Sequence, residues 1–92
     1  MAKYIVSYDL RKPDKDYPDL INYLNKLAGV RILLSVWLVK SQIAAAALME
    51  AIVKNGKVDA NDRIFVGELG ASASWERLLA TDVAVQNWYG TS

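Results

Sequence analysis

Residues 30–40 read VRILLSVWLVK, and the way this stretch divides decides the fold. It is rich in β-branched and aromatic residues, and Arg31 and Ser35 are its only polar interruptions before Lys40. It is too long for one short edge strand, so the expectation is two strands turned near Leu34-Ser35. The neighbouring segments then order themselves around a hairpin. Upstream, Lys3–Leu10 (KYIVSYDL) has strand composition. Arg11-Lys12-Pro13-Asp14 breaks it, because a proline cannot donate to a ladder and charges suit an exposed loop. Pro18 fits the first turn of a helix, with Asp16 and Asp19 near the positive end of its dipole. Leu20, Ile21, Leu24 and Leu27 follow at helical spacing, and Gly29 is a candidate C-cap for a helix over about residues 17–28.

Downstream, Ser41 is a candidate N-cap, and residues 42–54 contain AAAALMEA, built on the best helix former. Asn55-Gly56 ends that helix, residues 58–62 form a polar connector, and Arg63–Leu69 (RIFVGEL) reads as a fourth strand whose alternation breaks at Gly67. The stretch from Trp75 to Trp88 places Leu78, Leu79, Val83 and Val85 at helix-compatible spacing, which predicts a short docked helix or an extended tail. The order β-α-β-β-α-β predicts a ferredoxin-like two-layer α+β sandwich. It is expected as a single domain over residues 1–92, with a core at about 3–70 and a tail at 71–92.

Apolar residues make up 53% of the 92. A chain this short buries only roughly 60–65% of the surface it exposes when unfolded. In this reading the sheet face away from the helices is bare, so a homodimer, or else a ligand, is expected to cover it.

The chain has no Cys and no His. That excludes disulfides, thiol nucleophiles, structural zinc and imidazole acid–base catalysis. It fits an intracellular, cytoplasmic setting. The opening Met1-Ala2-Lys3 runs straight into strand pattern without an apolar leader, and no stretch reaches the roughly 18 apolar residues of a membrane span. Net charge is +1, with nine Lys/Arg against five Asp/Glu in residues 1–57 and two against five in 58–92. On charge alone these read as ordinary solvated faces, with a modest basic surface as the other reading.

Asp9 ends the first strand after Tyr8. An Asp there is either an oxygen ligand for a hard cation or an Asx-turn closing the strand, and the local sequence favours the turn. Arg31 is a phosphate contact or a partner for an acid such as Asp9 or Glu68. Ser35 has no histidine to activate it and reads as a strand bend. Trp75, Trp88 and Tyr89 either stack bases or pin the tail, and tail pinning is the first reading.

YIVSYDL (4–10) resembles the first strand of the small CRISPR-associated integration-complex subunit, a family described as metal-dependent nucleases or adaptors. Arg31, Ser35, Val36 and Trp37 within VRILLSVW resemble that family's second motif, and DANDRIFVGEL (59–69) its last core strand after an acidic turn. The resemblance covers residue 3 to about 70 and extends to SinR-like and VapD-like relatives. The tail with Trp75 and Trp88 is more similar to the SinR-like branch. The resemblance implies a ferredoxin-like homodimer with Asp9 of each protomer near the two-fold axis, sharing a Mg²⁺ that could activate water for phosphodiester attack. Arg11, Lys12 and Arg31 would hold the phosphates of DNA or RNA. The same fold also serves as a scaffold without cleavage. The alternative from a different class is a non-enzymatic protein-interaction module using the open sheet face and the aromatic tail. A small-molecule binder is a third.

Overall fold

A computed structural model describes residues 1–10, 17–70 and 73–90. The elements are β1 (Ala2–Asp9), α1 (Pro18–Lys26), β2 (Val30–Leu33), β3 (Val36–Ser41), α2 (Ala45–Asn55), β4 (Arg63–Glu68) and α3 (Asp82–Gly90). The four strands form one antiparallel sheet in the order β2-β3-β1-β4. The stretch 30–40 divides at Leu34-Ser35 as expected, and an irregularity in the β2–β3 register lies between Arg31 and Leu33. Among the described residues no helix is long and apolar enough to cross a membrane.

The main core lies between the sheet and the helices α1 and α2. Alternation along β1 turns Tyr4, Val6 and Tyr8 into this layer, where they meet Trp37 and Val39 of β3. Leu20 and Leu24 of α1 and Leu48 and Ile52 of α2 close it from above, all at 1% exposure or less.

The helix ends differ from the sequence reading. Ser41 does not cap α2. It ends β3, and its hydroxyl accepts from the Ile43 amide, while Ala44 takes the N-cap position without a side-chain cap. The apolar register of Leu48 and Ile52 against the sheet, not a cap, sets where α2 begins. Gly29 is not the left-handed residue after α1 either, since Ala28 carries that conformation at φ 58°. Gly29 is small for another reason: a Cβ there would lie 2.9 Å from the Leu24 carbonyl oxygen and 3.0 Å from the Trp37 ring. Gly56 plays the same part at the end of α2, where a Cβ would sit 2.9 Å from Leu20 Cδ1. Both glycines allow close approach of backbone to core.

The second sheet face is not bare. The C-terminal segment crosses it and buries Leu38, Val85 and Trp88 in a second cluster, with Val30, Ile32 and Leu69 packed around them. The Leu79 amide donates to the Ile32 carbonyl of edge strand β2 at 2.9 Å, and Trp75 stacks on Tyr89. The two-layer expectation therefore gains a partial third layer. Leu79 and Val83, which the spacing placed on a buried stripe, are 59% and 65% exposed. The buried pair is instead Val85 and Trp88, three residues apart on α3. The cover is incomplete, since Phe65 on β4 remains 63% exposed.

A domain of this size has a stability on the order of 5–14 kcal/mol. Ile52→Ala, at a site with 0% exposure, is expected to remove about 2–5 kcal/mol of it. Val83→Ala on the solvent side of α3 should change it by less than about 0.5 kcal/mol. Urea denaturation followed by tryptophan fluorescence measures both.

Candidate functional site

The stretches YIVSYDL and VRILLSVW meet at the C-terminal end of β1. The Tyr8 amide donates to the Ser35 carbonyl at 3.0 Å. Below it, Trp37 Nε1 donates to the Tyr8 hydroxyl at 3.0 Å inside the core. Arg31 completes the group: its Nε and Nη2 both donate to the Leu34 carbonyl, at 3.0 and 2.6 Å. Its guanidinium carbon lies 5.6 Å from the Trp37 ring centroid. Arg31 thus fastens the β2–β3 turn and lies against the indole that holds Tyr8.

Asp9 is the last residue of β1 and faces Arg63 across the ladder to β4. Asp9 Oδ2 and Arg63 Nη1 are 3.5 Å apart, with the two side chains 75% and 85% exposed. An ion pair this exposed contributes little to stability. Asp9 is therefore a solvent-facing carboxylate at a corner of the sheet, placed there by the braced strand before it.

The structure does not bring Arg31 to Asp9. Arg31 sits opposite Trp37, on the side that faces the helices, whereas alternation puts Asp9 on the face opposite Tyr8. Glu68 is at the other end of β4, opposite Tyr4. The remaining expected phosphate contacts, Arg11 and Lys12, lie outside the described residues, as does an Asx-turn from Asp9 into residue 11.

The acidic turn before β4 is structural. The Asp62 carboxylate accepts from the Asp59 amide at 3.0 Å and from the Tyr17 hydroxyl at 3.4 Å. The spacing of the two aspartates in D-x-x-D carries that signal, which the sequence reading passed over. Among the described residues no three carboxylates gather where an ion would sit. Mg²⁺ requires a near-octahedral set of oxygens. One exposed carboxylate already facing a guanidinium does not supply it, so the expected Mg²⁺ does not fit the described residues of a single chain.

Two lysines of the basic half are also accounted for. Lys3 and Lys40 are cross-strand neighbours on the second face. Lys3 Nζ donates to the Tyr89 carbonyl at 2.6 Å and lies 5.6 Å from that ring's centroid. Lys40 Nζ lies 5.1 Å from the Trp88 ring centroid. Burial first, and then the neighbouring Lys3 ammonium, hold the Lys40 pKa below its ordinary value. These interactions belong to the docking of α3. No protein-family model matches the chain, and no solved structure matches it significantly.

Trp37→Phe strands the Tyr8 hydroxyl and leaves a cavity where part of the buried indole stood, and should cost about 2–4 kcal/mol. Asp9→Asn should change stability by less than about 0.5 kcal/mol. Chemical denaturation of the two variants checks this contrast, and a large loss in Asp9→Asn would make that residue structural.

Proposed function

We propose that the chain is a ferredoxin-like homodimer that associates with nucleic acid as a scaffold. The sheet order β2-β3-β1-β4, with α1 and α2 on one face, supports the fold part of this reading. The resemblance of residues 3 to about 70 to the CRISPR-associated and SinR-like proteins supports the rest. The observation that carries it is the corner itself. The contacts among Tyr8, Arg31, Ser35 and Trp37 are spent on holding the end of β1, and the side chain delivered there, Asp9, stays 75% exposed. A braced strand that ends in an exposed carboxylate of little stabilising value fits a residue kept for contact with something else.

A two-fold contact over the uncovered strip beside β4 would bury Phe65, now 63% exposed, and would draw the two Asp9 corners together. Arg63, with Arg11 and Lys12 that follow Asp9 in sequence, would then meet phosphate from both protomers. Cleavage is not part of the proposal, because among the described residues one ion-paired carboxylate per chain is too sparse a donor set. The protein-interaction alternative draws on the same strip. Its other half is weakened, because Trp88 is only 8% exposed and Tyr89 lies against Lys3 and Trp75.

Light scattering of the purified protein should report twice the 10.2 kDa chain mass. Labelled single- and double-stranded DNA and RNA should bind with an affinity that falls steeply with salt, and should remain intact with and without Mg²⁺. Mg²⁺-dependent cleavage that disappears in Asp9→Ala would replace the scaffold by a nuclease. A dimer that binds no nucleic acid would leave the protein-interaction module, and a monomer at micromolar concentration would end the paired-corner arrangement.

A further inference from the structure

The second apolar cluster is loosely filled, and the gap has a definite shape. Between the sheet and the C-terminal segment lies a cleft of about 250 Å³. Ile5 and Leu38 form its floor, Leu78 and Val85 a wall, and Trp75 and Tyr89 its aromatic cover. No charged side chain lines it among the described residues. Lys3, on the same sheet face, is engaged with the Tyr89 carbonyl and ring. A larger hollow of about 610 Å³ runs along α2, but its lining comes from that helix alone and includes Glu50 and Lys54.

The cleft is about half open to solvent, so a ligand can enter it without disturbing the main core. Water is held poorly where polar partners are scarce, and an apolar cavity of roughly 150 Å³ stays dry and takes up benzene. We infer that the cleft between the sheet and the C-terminal segment is a binding site for one small, neutral, flat apolar molecule of about fused-bicyclic size. The volume sets the size, the paired aromatic rings favour a flat molecule, and a lining without charged side chains favours a neutral one. This site is on the sheet face and is independent of the Asp9 corner, so it stands or falls apart from the nucleic-acid reading.

Naphthalene is a suitable probe, with 1-naphthoate as the charged control on the same skeleton. In methyl-resolved NMR of the whole protein, naphthalene should shift the resonances of Ile5, Leu38, Leu78 and Val85 saturably and leave Leu20, Leu24 and Ile52 in place. 1-Naphthoate should bind at least tenfold more weakly. Leu78→Trp, which fills the cleft, should lower naphthalene affinity at least tenfold while the circular dichroism spectrum is retained. Absence of saturable shifts in the unaltered protein overturns the inference, and that measurement decides even if the tryptophan variant does not fold. Shifts spread equally over the main core, equal binding of 1-naphthoate, or undiminished affinity in a folded Leu78→Trp protein would overturn it too.

Discussion

The hydrogen bond from Trp37 Nε1 to the Tyr8 hydroxyl, 3.0 Å long and inside the core, is the constraint around which the rest is arranged. β1 is a central strand, paired to β3 on one side and β4 on the other. A slip of β1 by one residue against β3 would turn Tyr4, Val6 and Tyr8 away from the helices. It would also take the Tyr8 hydroxyl away from Trp37 and leave that indole N–H buried and unpartnered. The polar tips of two large aromatic residues therefore fix the register that apolar burial alone would fix less firmly. Gly29 follows from the same indole, because the chain must pass within contact distance of the Trp37 ring. Arg31 follows from it as well, lying over that ring while fastening the turn.

The strands and the hairpin were legible because their signals are local. Composition marks β1 and β4, and the polar breaks at Arg31 and Ser35 mark the division of 30–40. Helix ends were less legible, because here they obey packing over capping chemistry. Ala44 begins α2 with no side-chain cap, and Ala28 and Lys57 rather than the neighbouring glycines take positive φ. Nothing in the local sequence marks Ala28 for that conformation. The docking of α3 was legible only as apolar spacing. Which residues of 75–88 face the sheet depends on a long-range contact with β2 and β3, so Val83 and Leu79 read as buried and are not.

The candidate site divides along the same line. The position of Asp9 at a strand end could be read from S-Y-D-L and from the charges and the proline that follow in sequence, since a proline cannot donate to a ladder. Its partner Arg63 could not, because it is 54 residues away and meets Asp9 only through the β1–β4 register. Arg31 shows the opposite limit. Its place in the motif was legible, but its use was not: the two sides of a strand give an arginine opposite neighbours, and the bulge beside it sets how it reaches the Leu34 carbonyl.

The two borders of the sheet are unlike each other. On β2 the outward carbonyl of Ile32 is already taken by Leu79, and Arg31 sits on the same strand, so that border is blunted against further strands. β4 is the other outer strand of the sheet. Growth by strand addition thus has one direction open to it, and two molecules joined along β4 would present only blunted borders to a third. A sheet joined in that way would be self-terminating: association along its edges would stop at a pair and would not run on into the endless ladder of a fibril.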